Sequence, residues 1–154
     1  MVTRNNMNYF LKEAVESSKK SYEKGRFPAG AVLVKNNQII GTAISGLFPK
    51  IHIHAETQLI DEAMEKYNKQ LEGFELFTSL EPCMMCLGKA YWAGIRKITY
   101  VLAKEDVDSQ LAYETTLSTV DIVSKLNNGM ELIQDSKYYD DALTIYKEWE
   151  LKHK

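Results

Sequence analysis

Cysteine is almost absent from this chain: Cys83 and Cys86 are the only two among 154 residues. So small a supply excludes a disulfide-braced secreted scaffold, and so close a pair points to metal binding or thiol redox chemistry in a reducing compartment. Long apolar runs are missing as well. Nothing approaches the roughly 18 residues that a membrane-spanning helix requires. The opening "MVTRNNMNYFLKEAVESSKK" carries charges every few residues where a secretory signal would have an unbroken apolar core. A soluble, cytoplasmic protein without a membrane partner is expected. Excess charge is lacking too: the formal net charge is -2. That balance gives no overall electrostatic footprint for nucleic acid, so such a partner is not favoured, although a local basic patch stays open. No internal repeat, linker or low-complexity tract interrupts the chain.

What remains is an ordinary globular composition, 45% apolar and 26% charged. A chain of this length suits one domain over residues 1–154, large enough to bury a core without covalent braces.

Met7, Phe10, Leu11, Ala14, Val15 and Tyr22 recur on one helical face, and Gly25 is a plausible stop. In "PAGAVLVKNNQIIGTAIS" two β-branched runs flank Asn36-Asn37. Asparagine tolerates the left-handed backbone of a two-residue turn, so a β-hairpin is expected. Leu59, Ile60, Ala63, Met64 and Tyr67 mark a second helix from Ala55, and "FELFTSL" reads as a strand. Pro82 suits the first turn of a third helix, which runs to Gly94. "KITYVLA" is apolar on both faces, as a central strand would be. Farther on, "SQLAYETTLSTVDIVSKL" reads as a helix in spite of its β-branched residues, "MELIQ" as a last strand, and Tyr139, Ala142, Leu143, Tyr146 and Trp149 stripe a C-terminal helix. The order describes an α/β sheet with helices on both faces.

Two motifs on this scaffold carry chemistry, "HAE" at 54–56 and "PCMMC" at 82–86, each opening a helix just after a strand or loop. Cys83 and Cys86, three apart, share one side of a helical first turn and can reach one ion. A helix N-terminus favours their thiolates. With His54 the donor set is one nitrogen and two sulfurs, which suits one Zn2+ per chain and leaves a fourth tetrahedral position for solvent. Zinc lowers the pKa of bound water towards ~7, and Glu56 can take its proton and deliver it to a departing nitrogen. Within a helix, residues two apart diverge by about 200°, so His54 and Glu56 can share only a site lying over the helix end. A lone C-x-x-C would equally fit a thioredoxin-like redox motif; together with "HAE" the hydrolytic zinc reading prevails. In "IHIH", His52 would share a face with His54 if the segment were extended, and could compete as a ligand; the plainer reading is a loop or pocket-wall imidazole.

These motifs resemble the cytidine deaminase-like superfamily of zinc-dependent nucleobase and nucleoside deaminases, whose H-x-E…P-C-x-x-C signature they match. The resemblance runs over roughly residues 7–105, with "FPAGAVLVKNNQIIG" similar to the family's first hairpin and "SLEPCMMCLGKAYWAGIRKITYVLA" to its second zinc segment. Within the superfamily, "EPCMMCLGKAYWAG" looks most like guanine deaminases, with tRNA adenosine deaminases a close second. The resemblance implies a three-layer α/β/α fold around a mixed five-stranded sheet, and a homodimer. It implies zinc on His54, Cys83 and Cys86, with Glu56 shuttling protons while water replaces an exocyclic amine. The expected reaction is guanine to xanthine plus ammonia, with adenosine in tRNA, cytosine or another nucleoside as alternatives.

For substrate contacts the resemblance points to the backbone N–H of Ala55, an unpaired donor at a helix start, and to Phe27 and Trp92 as pocket aromatics, with core packing as the plainer role for each ring. Two departures bear on specificity. Relatives usually carry an asparagine where this chain has Ser45, and a serine hydroxyl lacks the amide's two donors. Guanine deaminases use a downstream carboxylate; Glu114 is the candidate, with Asp106 and Asp108 competing, and a solvated surface acid is the plainer role for each.

Overall fold

The computed structural model describes residues 2–107, 114 and 117–153. The first helix, α1 (Arg4–Glu23), starts where the Thr3 hydroxyl accepts a hydrogen bond from the Asn6 N–H at 3.2 Å. The hairpin follows as β1 (Gly30–Lys35) and β2 (Gln38–Ile44). Asn36 and Asn37 both adopt positive φ, 51° and 60°, the mirror-image turn that matches the twist of paired strands. α2 (Ala55–Tyr67), β3 (Glu75–Leu80), α3 (Met84–Ala93) and β4 (Lys97–Leu102) come next, then a short 3-10 turn at Lys104–Asp106. α4 (Thr119–Val123), β5 (Glu131–Gln134) and α5 (Tyr139–His153) complete the order.

The five strands lie in the order β2-β1-β3-β4-β5. β1 pairs antiparallel with β2 and β3, while β4 runs parallel to β3 and β5, so the sheet is mixed, as expected. Strand alternation divides the core into two layers. Ala31, Leu33, Leu76 and Ile98 pack under α2 and α3, with Ile122 and Val123 of α4 against the same cluster. Val32, Val34, Phe77 and Val101 face the other way, onto Phe10, Leu11 and Ala14 of α1 and Ala142 and Tyr146 of α5. This is the three-layer α/β/α arrangement. None of the helices among the described residues is long and apolar enough to cross a membrane.

Two sequence expectations need correction. Pro82 precedes α3 instead of sitting in its first turn, because the Cys83 side chain takes the cap position and accepts from the Cys86 N–H at 3.4 Å. The helix expected over 109–126 is, among the described residues, confined to Thr119–Val123; positions 109–113 and 115–116 lie outside them. α3 ends as expected, with Gly94 at φ 101°, a conformation open to glycine at no steric cost.

Candidate metal centre and active site

α2 and α3 leave the sheet side by side, and their N-terminal ends bring distant residues together. His54 is the cap residue of α2, with extended backbone. Its own N–H is satisfied by the Thr57 hydroxyl at 3.0 Å, which also donates back to the His54 carbonyl. The ring is therefore turned to the cysteines: Nδ1 lies 3.4 Å from the Cys83 Sγ and 3.3 Å from the Cys86 Sγ. Nitrogen and sulfur at two tetrahedral corners of one zinc ion stand ~3.6 Å apart. The three ligand atoms all lie within 4.8 Å of one another, so donor chemistry and spacing both fit one zinc ion.

Electrostatics agree with this assignment. The Cys83 thiol is pushed down to about 4, chiefly by the hydrogen bond from Cys86 and then by His54, which favours its thiolate form. The hydrogen bond to Cys83 and then burial push Cys86 up, so its thiolate would come with binding of an ion. His54 is raised, first by its hydrogen bond to Cys83. Both cysteines are free, not paired in a disulfide.

Glu56, the second residue of α2, is buried, and burial raises its carboxyl above the usual range, with the Cys83 charge adding to the effect. Cys83, His54 and Cys86 are all among the groups that act on this carboxyl, so the acid feels the charge of the candidate metal centre. The helix-end geometry expected for the "HAE" motif is thus found: His54 caps the helix and Glu56 follows within its first turn. His52 is exposed in a turn, not in an extended strand, and takes no part in the ligand cluster found among the described residues.

The substrate-contact candidates separate. Ala55 is buried at the first position of α2, where a backbone N–H has no partner within the helix. Ser45 directly follows β2 and is buried; its hydroxyl lies 3.4 Å from the Ala29 carbonyl. Phe27 packs edge-on against Trp149 at 4.9 Å and Tyr146 at 6.0 Å, both on α5. Trp92, by contrast, is 83% exposed on α3, so neither core packing nor an enclosing pocket accounts for it within one chain. Glu114 reaches the N-terminus of α3, where its carboxylate accepts from the Met84 N–H at 2.8 Å and pairs with Lys104. Asp106 instead caps the 3-10 turn, accepting from the Ala103 N–H at 2.7 Å; Asp108 lies outside the described residues.

Sequence reasoning missed Glu81. This buried acid, just before Pro82 and Cys83, accepts from the Lys104 N–H at 3.2 Å and from the Thr119 hydroxyl at 2.6 Å. It ties the segment after β4 and the start of α4 to the cysteine loop. An acid at a strand end beside the metal motif was the available signal, but its partners lie 23 and 38 residues away.

Comparison with known proteins agrees with this geometry. A tRNA-specific adenosine deaminase of Aquifex aeolicus (strain VF5) is 40% identical over 95 residues, 60% of this chain and 63% of that one. A probable cytosine deaminase of Schizosaccharomyces pombe is 32% identical over 100 residues, 64% and 61% of the two chains. The matches thus span about three fifths of the length of these curated relatives. A solved guanine deaminase structure from Nitrosomonas europaea shares the fold, with TM-score 0.79, 17% identity, and coverage of 98% of this chain and 86% of that one. The family described as the cytidine and deoxycytidylate deaminase zinc-binding region matches residues 4–102, a stretch that contains His54, Glu56, Cys83 and Cys86. The chain therefore belongs to the cytidine and deoxycytidylate deaminase zinc-binding family.

Proposed function

We propose that the chain is a zinc-dependent hydrolytic deaminase of a purine base, with guanine as the first candidate and xanthine and ammonia as products. The observation that carries the reading is the nitrogen-sulfur-sulfur triangle of His54, Cys83 and Cys86 beside the buried acid Glu56. Zinc, when bound there, makes water a nucleophile near neutral pH by lowering its pKa. Glu56, held above the usual carboxylate range by burial, is suited to take a proton from that water and pass it to the departing amine. The Ala55 N–H, at the start of α2, is a fit donor for a ring carbonyl, and Ser45 and Phe27 are candidates for the pocket wall. Guanine is supported by the resemblance of "EPCMMCLGKAYWAG" to guanine deaminases.

A second reading, adenosine in tRNA, is favoured by the 40% identity to the Aquifex aeolicus tRNA-specific adenosine deaminase. Ammonia release from guanine, adenine, cytosine, cytidine and a tRNA, each with zinc-loaded protein, separates the two. Release from guanine supports the first reading, and release from tRNA alone replaces it with the second. Silence on every substrate at one zinc per chain overturns the deaminase reading and leaves a noncatalytic zinc module. The partner implied besides substrate is a second copy of the chain. Met84, Met85 and Trp92 of α3 are 55%, 40% and 83% exposed, an apolar face suited to cover by another copy.

A further inference from the structure

The segment leaving β2 is held by hydrogen bonds from several parts of the chain. The Ile44 carbonyl accepts from the Gln58 side-chain amide at 2.7 Å. The Ser45 N–H donates to the Ser21 hydroxyl at 3.3 Å, and the Ser45 carbonyl accepts from Arg26 Nη1 at 3.1 Å. The Gly46 N–H donates to the Ile53 carbonyl at 2.8 Å. Every backbone polar group from the Ile44 carbonyl to the Gly46 N–H is therefore engaged. Gly46 is tightly enclosed as well: a Cβ there would stand 2.3 Å from the Lys50 carbonyl oxygen and 2.4 Å from that of Ile53.

These partners connect three parts of the molecule. Ser21 belongs to α1, is fully buried, and also donates to the Phe27 carbonyl at 2.6 Å, so one hydroxyl joins the Phe27 and Ser45 segments. Gln58 sits one turn beyond His54 on α2, and its N–H donates to the His54 carbonyl at 3.1 Å. Ile53 immediately precedes the metal ligand. The backbone at Ser45 is thus referenced directly to the helix end that carries His54 and Glu56.

We propose that Gln58 and Ser21 are positioning residues for substrate selection, fixing Ser45 as a rigid wall at a set place relative to the metal-bearing end of α2. This rests on the reading that Ser45 borders the substrate. A wall tied at each of its backbone groups does not shift inward to make up for a short side chain, so the serine hydroxyl acts from where the backbone places it. The hydroxyl's own proton faces the Ala29 carbonyl at 3.4 Å, so substrates are then ranked by how well a donor on their edge meets its oxygen, directly or through a water.

The test uses Gln58→Met, which keeps length and packing but removes the donor, and Ser21→Ala, in zinc-loaded protein. Each variant is expected to keep one zinc per chain and a near wild-type kcat, while KM for the preferred base rises about tenfold, the effect of losing the one buried hydrogen bond that each side chain makes to the Ile44–Ser45 backbone. The order of preference across the base panel is expected to change. Amide hydrogen exchange at Ser45 and Gly46 is expected to accelerate in both variants. Unchanged KM, unchanged ranking and unchanged exchange, with only Tm lowered, would show a merely structural role and overturn the proposal. If the wild type releases no ammonia from any base, the deaminase reading fails, and the exchange rates alone then decide whether the clamp exists.

Discussion

His54 Nδ1 and Cys86 Sγ stand 3.3 Å apart although 32 residues separate them in the chain. Two helices that open side by side produce this contact, and a metal ion is what makes the convergence of two sulfurs and an imidazole favourable. Cys83→Ala and Cys86→Ala are therefore expected to reduce zinc from one per chain to a small fraction, measured by metal analysis after dialysis. The binding energy of a structural ligand set is also folding energy, so both variants are expected to melt several degrees below zinc-loaded wild type. Full zinc content in either would remove that cysteine from the ligand set.

Glu56→Ala separates chemistry from metal binding. The side chain is not needed to hold zinc, so the variant is expected to keep one ion per chain while its kcat falls by about 10²–10⁴-fold, the range for loss of a positioned acid-base group. Normal turnover would end the proton-shuttle assignment.

The raised carboxyl of Glu56 also makes stability depend on pH in the metal-free chain. Well below the ordinary carboxylate range the acid is neutral in folded and unfolded states alike. As pH rises from there through the raised folded value, the unfolded chain has released its proton and the folded chain still holds it, so stability falls with pH. Glu56→Gln, neutral at every pH, is expected to flatten this slope in denaturant titrations of metal-free protein from acid to neutral pH. An equal slope in the two proteins would show that the burial of Glu56 carries no ionisation cost.

The parts legible in the sequence are those set by local chemistry. Asn36 and Asn37 permit a left-handed turn wherever they occur, and both adopt one. The stripe of Tyr139, Ala142, Leu143, Tyr146 and Trp149 is helical because it buries one face, and all five residues join or pack against the cluster shared with α1. The ligand set was legible because helix starts constrain Cys83 and Cys86 without help from tertiary contacts. The partners of Phe27 were not, since Tyr146 and Trp149 come from the far end of the chain. Glu81 escaped for the same reason: a carboxylate before a proline looks like surface until Lys104 and Thr119 fold over it.

Glu114, a candidate substrate contact, has partners of its own within the chain. Both carboxylate oxygens face the Met84 N–H, and the charge is paired with Lys104, the two side chains being only 13% and 14% exposed. Lys104→Met would leave that carboxylate without its partner and is expected to cost about 1–3 kcal/mol, read from chemical denaturation. Glu114→Gln keeps an acceptor for Met84 and is expected to lower stability with little change in KM. A large KM increase on the best base would instead place Glu114 against substrate.

Trp92 is the most exposed large apolar side chain in the described structure, at 83%, and Met85 lies seven residues before it. Seven residues are close to two helical turns, so the two side chains share one stripe of α3. Cys83 caps this same helix, so a second copy seated on the stripe would bear directly on the metal-binding end. Light scattering after size exclusion is expected to give twice the chain mass for wild type and the single-chain mass for the double variant Met85→Glu, Trp92→Glu. Because the substitutions lie on solvent in an isolated chain, the monomer itself should stay folded, and circular dichroism checks that directly. A wild type that runs as a monomer at micromolar concentration would leave the stripe uncovered and remove the homodimer from the reading.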